Sequence, residues 1–259
     1  MTIEPTVKLN EEQIAFYHEN GYLVLDAITT TEEIATMRQA YDRIFEEDAG
    51  RAEGNAFDLA GSNKEGQAAT LPQILNPEKY APELSNTLYR ANAAVIARQL
   101  LGESATVGKG GHAIRKPPSI GAATPLHQDE AYWNEALEYN SLSIWLPLQD
   151  ATVENGCMQF VPKSHRLGVV PHRSIGKGAA GLVVDESVTD IGELVPCPIP
   201  AGGATIHHSR TFHYAGPNTS SEVRRAYIIG ASTEAKGRKT PRDFYWQEEM
   251  RRNREAAKV

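Results

Sequence analysis

Apolar positions recur along this chain with two different periods, and the change from one to the other falls near residue 105. In the first part, Ile34, Met37, Tyr41 and Ile44 stand three or four apart in EEIATMRQAYDRIFEE, after a run of threonines at 29–31 and with acidic residues leading. That spacing predicts an amphipathic helix lying against a sheet. Upstream, NEEQIAFYHEN (10–20) opens on an asparagine suited to capping and stops at Asn20-Gly21, so a short helix should lead into a strand at 22–26, YLVLD. A third helix is expected over 81–101, with Leu84, Leu88, Ala91 and Val95 on one face and Gly102 at its end.

Beyond 105 the chain breaks into short apolar or alternating runs, HAIRK, LSIWLPL, CMQFVP, ELVPCPI, ATIHH and RRAYIIGAS, separated by Gly, Pro, Asn and Asp. Short strands at this spacing predict a barrel or double-sheet jelly roll. The expected fold is therefore mainly β with α decoration. One domain is expected: 1–104 as mainly helical support, 105–235 as the barrel core, and 236–259 as a charged helical tail with Arg and Lys on solvated faces. Two aperiodic, Gly-containing stretches, 49–70 and 173–192, read as loops, the second over a barrel mouth.

A length of 259 residues suffices for one such domain. The net charge of −7, with Lys and Arg scattered, implies no broad cationic surface and speaks against nucleic acid as a partner. No stretch approaches the roughly 18 apolar residues of a membrane span. The polar, acidic start carries no targeting pattern, so a cytoplasmic protein with a small-molecule substrate is expected. Oligomeric state is left open by the pattern. Cys157 and Cys197 sit in apolar surroundings without paired spacing, which predicts buried free thiols.

The sharpest chemical signal is Pro125-Leu126-His127-Gln128-Asp129. On an extended segment, side chains two apart share a side, so His127 and Asp129 can share a metal. An H-x-D pair alone is common, and a third ligand is needed. His213, at the end of an apolar strand and just before Gly216-Pro217-Asn218, stands where a barrel rim would place it. Two histidines and one carboxylate leave three open positions, the arrangement of non-haem Fe(II) oxygenases rather than of closed zinc sites. Those positions can take a bidentate 2-oxo acid and dioxygen. A distal carboxylate on that acid calls for arginine, whose planar fork matches it. Arg224 and Arg225 follow on the next strand, and strand parity does not choose between them. His207 and His208 precede His213, and a rival ligand set using either stays open on spacing alone. Tyr132 and Trp133 are candidates to line a substrate pocket, and His165 reads as a structural hydrogen-bonding residue.

Taken in order, these motifs resemble the phytanoyl-CoA dioxygenase-like (PhyH) family of Fe(II)/2-oxoglutarate-dependent oxygenases. The resemblance runs through FYHENGYLVLD, Lys116-Pro117-Pro118, the 125–129 motif, NGCMQFVPKSH (155–165), and His213 with Gly216, Asn218 and Arg224. It implies a double-stranded β-helix (cupin-like jelly roll) with Fe(II) on His127, Asp129 and His213. It also implies that Arg224, eleven residues beyond the distal histidine, grips 2-oxoglutarate. Gln128, Trp145, His112 and Gln73 occupy places that imply further co-substrate contacts. The implied activity is oxidation, with hydroxylation first among the options, of an unactivated C–H bond in a small metabolite, consuming O2 and releasing succinate and CO2. Desaturation, cyclisation and epimerisation belong to the same chemistry. Ala215 stands where the family often has Ser, and the presence of Asp129 speaks against a halogenase. Two alternatives remain at this level: a cupin-like metal enzyme that does not use 2-oxoglutarate, and a non-catalytic ligand-binding barrel.

Overall fold

A computed structural model describes residues 3–61, 68–176, 179 and 181–256. In chain order the elements are α1 (Glu11–Asn20), β1 (Tyr22–Leu25), α2 (Thr31–Glu46), β2 (Ala56–Asp58), β3 (Pro72–Leu75), α3 (Leu88–Leu101), β4 (Thr106–Lys116), β5 (Thr124–His127), β6 (Leu137–Glu138) and β7 (Ser141–Pro147). There follow β8 (Met158–Phe160), β9 (His172–Ser174), β10 (Leu182–Val184), β11 (Val195–Cys197), β12 (Ala204–His208), β13 (His213–Ala215), β14 (Arg224–Ser232), β15 (Lys236–Gly237) and α4 (Tyr245–Ala256). Short 3-10 turns intervene.

The first two helices start and stop for local reasons. Asn10 and Gln13 form a reciprocal capping box at the start of α1. Gly21 ends it at φ 80°, and a Cβ there would lie 2.3 Å from His165 Nδ1, so both the turn and its neighbour require glycine. Thr30 caps α2 by accepting from the Glu33 amide. The third helix begins at Leu88 rather than 81: Pro82–Ser85 form a 3-10 turn, Asn86 is non-helical, and Thr87 supplies the cap.

Seven strands form an antiparallel major sheet in the order β1-β12-β7-β14-β4-β3-β2, and four form the facing sheet, β11-β8-β13-β5, giving the jelly roll expected. Alternation then sorts residues to two faces. Ile74, Ala113, Ile144, Leu146, Ile206, Tyr227 and Ile229 face outward and join Ile34, Tyr41, Ile44, Tyr89 and Ile96 of the helices in one core. The opposite face of the sheet lines a cavity.

The stretch 49–70 contains β2, which pairs with β3 and extends the major sheet; a three-residue strand is too short to show a period. Its residues 62–67 lie outside the described residues. Within 173–192, β9 and β10 pair as an antiparallel ladder, with residues 177, 178 and 180 outside the described set. The C-terminal tail is not wholly solvated. Phe244, Trp246 and Met250 are buried with Ala131 and Leu182, and each such side chain contributes roughly 1.5–3 kcal/mol when fully buried. Arg242 pairs at 2.6 Å with Glu130, which is fully buried. Cys157 and Cys197 are buried and free, as expected.

Candidate metal centre

The cross-strand register brings the two histidines together: His213 on β13 stands opposite His127 on β5, with ring centroids 4.1 Å apart. Gln128 remains extended (φ −120°, ψ 133°), so alternation survives one residue past the strand before a 3-10 turn, Asp129–Tyr132, begins. Asp129 therefore returns to the same side as His127. One ligand atom from each of His127, Asp129 and His213 lies within 4.8 Å of the others. Asp129 Oδ1 is 3.4 Å from His213 Nε2 and 3.7 Å from His127 Nε2.

The surroundings orient these donors. His127 Nδ1 lies 2.7 Å from the Pro125 carbonyl and His213 Nδ1 lies 2.9 Å from the Thr211 carbonyl, so backbone takes up each Nδ1 and each Nε2 faces the gap. The second carboxylate oxygen, Asp129 Oδ2, accepts from Ser143 Oγ at 2.6 Å and lies 3.3 Å from His207 Nε2. Burial pushes the His127 imidazole down to about 3, and the neighbouring His213 adds to this, so His127 is a neutral donor at physiological pH. Burial works to raise the Asp129 carboxyl, but His213 and His207 outweigh it and hold the group well below its usual range, hence ionised. An unprotonated imidazole and an ionised carboxylate are the donor states that a divalent metal requires, so the trio fits iron(II).

The neighbouring histidines stand apart from the trio. His207 faces inward but its Nε2 is directed at the carboxylate oxygen turned away from the trio. His208 packs against His165 and Arg210, away from the cavity. His165 lies beneath Gly21, in keeping with a structural role, although its Nδ1 finds no hydrogen-bond partner.

The trio opens on a cavity of about 750 Å³. Arg224 lines the same cavity, 1% exposed, lying over the Trp145 ring at 5.6 Å and donating a long 3.4 Å hydrogen bond to the Ile114 carbonyl. Its Nε has no partner, and no acidic side chain pairs with it among the described residues. Burial pushes the guanidinium down to about 10, which leaves it charged at neutral pH. Arg225 points the other way and pairs with Asp42 of α2 at 2.6 Å. Parity could not separate the two arginines; the register does, because Arg224 stands opposite Lys116 in the inward row.

Of the other candidates, Gln73, His112, Trp145, Tyr132 and Trp133 all line the cavity, as does Ala215. Gln128 does not. Its amide donates to the carbonyls of Gly168 and Arg210 and accepts from the Val170 amide, so the same alternation that aims its neighbours inward turns it outward as a loop staple. Ser143 is the positioning residue that pattern reading passed over. Its signal was the alternation in LSIWL, which sends Ser141, Ser143 and Trp145 to one face. Lys116 is wholly buried and ties Nζ to the carbonyls of Ala215 and Gly216, fixing the far end of the strand that begins with His213.

Fold and donor set define a class, the jelly-roll non-haem iron oxygenases. Within it, the chain belongs to the phytanoyl-CoA dioxygenase (PhyH) family, whose model matches residues 17–226. It is 29% identical over 233 residues to a probable alpha-ketoglutarate-dependent hypophosphite dioxygenase of Stutzerimonas stutzeri, covering 85% of this chain and 77% of that one. It is 24% identical over 273 residues to a phytanoyl-CoA dioxygenase of Arabidopsis thaliana, covering 93% and 95%. Among solved structures, EvdO2 from Micromonospora carbonacea var. aurantiaca, complexed with 2-oxoglutarate, superposes with a TM-score of 0.78 at 35% identity over 94% of this chain and 99% of that one.

Proposed function

We propose that this protein is an Fe(II)- and 2-oxoglutarate-dependent dioxygenase that hydroxylates an unactivated C–H bond of a small organic molecule. The observation that carries the reading is a pair of unmet demands in one cavity: two imidazoles and an ionised carboxylate converging on a gap, and a buried guanidinium without a counter-ion among the described residues. An isolated buried charge is costly, and a dicarboxylate lying between the two features answers both demands.

In this reading His127, Asp129 and His213 would hold the iron, and Arg224 would receive the distal carboxylate of 2-oxoglutarate through charge-assisted hydrogen bonds. Trp145, His112 and Gln73 flank that path. When bound, iron and 2-oxoglutarate together supply the oxidising power, drawn from dioxygen with loss of succinate and CO2. The protein's own part is to set the donor geometry through Ser143 and His207, orient the co-substrate, and keep the reacting carbon in a largely apolar cavity. No side chain needs to move a proton.

Asp129→Ala tests the centre. Substrate-coupled succinate formation should vanish together with tight Fe(II) binding; undiminished turnover refutes the ligand assignment. Oxygen uptake measured with and without 2-oxoglutarate separates this reading from a cupin-like enzyme that does not use it. No helix among the described residues is long and apolar enough to cross a membrane. Two free buried thiols suit a reducing compartment, so cytoplasmic residence forms part of the same proposal.

A further inference from the structure

The cavity is larger than a five-carbon dicarboxylate needs: about 750 Å³ lies well within the range of roughly 300–1,000 Å³ that encloses a drug-sized ligand. Its surplus volume has a definite chemistry. Arg224 occupies one end of β14, and Gly230 stands on the same inward row roughly 20 Å further along at ordinary strand rise. Gly230 is the register partner of Ser143, the residue that holds Asp129, so it lies beside the metal trio.

Next to it is Gly108 of β4, where a Cβ would come no nearer than 3.5 Å to the Gly230 carbonyl; a Cβ on Gly230 would meet nothing closer than the Leu142 carbonyl at 3.9 Å. Neither glycine has positive φ. Backbone conformation and neighbouring atoms therefore do not require glycine at these two positions. The missing side chains leave a bare, flat floor on which a ligand can approach the backbone closely. Trp133 and Tyr139, edge to face at 4.9 Å, form aromatic wall in the same cavity. Apart from histidines, the acidic and basic side chains lining it are Asp129 and Arg224 among the described residues, and both are committed to the metal and to the co-substrate.

We infer that the substrate is an uncharged, ring-bearing molecule whose ring lies on the floor made by Gly108 and Gly230, beside the metal trio. This deepens the function proposed above and rests on it, because Arg224 is free for the substrate unless 2-oxoglutarate occupies it. An oxyanion such as the one named for the Stutzerimonas relative would require a second cation, and the cavity wall supplies none among the described residues. A charged group entering the outer cavity would lose its water without gaining a partner.

The test uses two dyes that differ by one charge, 1-anilinonaphthalene and its 8-sulfonate, both of which brighten in apolar sites. Each is titrated into enzyme loaded anaerobically with Fe(II) and saturating 2-oxoglutarate, so that Arg224 is already engaged. The neutral dye should bind, and the sulfonate should bind on the order of tenfold more weakly or worse. Gly230→Leu and Gly108→Leu, which fill the floor from adjacent strands, should abolish neutral-dye binding while 2-oxoglutarate affinity is kept. The inference is overturned if the neutral dye fails to bind, if the sulfonate binds equally well, or if either filled variant that retains 2-oxoglutarate binds the neutral dye as wild type does. Loss of 2-oxoglutarate in both variants would also overturn it, since the space before the glycines would then not be free. Failure of wild-type protein to bind 2-oxoglutarate would instead remove the function proposed above.

Discussion

Replacing Arg224 by methionine keeps most of its volume and removes its charge, and the structure gives that change two opposite consequences. Arg224 is 1% exposed, and among the described residues its guanidinium has one long hydrogen bond at 3.4 Å and an Nε with no partner. Removing such a group relieves a desolvation cost, so the empty protein should gain about 1–3 kcal/mol of stability, the scale seen when buried charges give way to apolar residues of similar size. For a chain of this length that is an upward shift of several degrees in the thermal midpoint. With 2-oxoglutarate bound, the same change deletes two charge-assisted hydrogen bonds worth about 1.5–3 kcal/mol each. A net loss of about 4 kcal/mol corresponds to roughly a thousandfold weaker binding. Calorimetric titration of 2-oxoglutarate into anaerobic Fe(II)-loaded protein reads the second effect, and differential scanning calorimetry of the empty protein reads the first. Arg225→Ala is the control. It breaks a partly exposed pair with Asp42 at 2.6 Å, should cost about 1 kcal/mol of stability, and should leave 2-oxoglutarate affinity unchanged. The reasoning fails if Arg224→Met weakens 2-oxoglutarate less than about tenfold, or if the two variants lose affinity equally.

Other expectations concern the support around the site. Ser143→Ala frees Asp129 Oδ2 from its 2.6 Å hydrogen bond and should lower metal affinity by roughly 10- to 100-fold in a Mn(II) titration followed by electron paramagnetic resonance; an unchanged constant would mean the hydroxyl has no positioning role. Arg242→Ala strips the closest cation from the buried Glu130, whose remaining partners are Ser209 and, at 3.7 Å, Arg210; a loss of about 2–4 kcal/mol is expected from denaturant unfolding. Burial, helped by the nearby Arg210 charge, pushes His208 down to about 3. The unfolded chain therefore binds a proton that the folded one refuses between about pH 3 and 6.5, so this histidine's contribution is complete above 6.5 and is lost as pH falls through that window. It amounts to about 2 kcal/mol between pH 6.5 and 5, and His208→Gln should flatten that part of the pH–stability curve.

How much of this was legible before folding can be followed residue by residue. The helix ends at Gly21 and Thr30 were, because caps are local chemistry within a few residues. The 125–129 motif was, because strand alternation puts His127 and Asp129 on one side whatever surrounds them. The strand at 56–58 was not: three residues carry no period, and only pairing with Pro72–Leu75 makes them a strand. Nor was the docking of Trp246, whose indole donates to the Ala131 carbonyl at 3.0 Å from a segment that reads as a charged, solvated tail.

By itself the sequence determined the kinds of group available and the local faces on which they stand: two histidines, a carboxylate, adjacent arginines, and alternating strands able to close into a jelly roll. Tertiary structure decided which of them meet. Cross-strand register set His213 opposite His127, turned Arg224 into the cavity and Arg225 toward α2, sent Gln128 out to staple a loop, and brought Ser143 and His207 to the back of Asp129. The physical reason is range. Capping and alternation act over a few neighbouring residues, whereas a metal site, an inward-facing buried cation and a bare glycine floor exist only where strands far apart in the chain are held side by side.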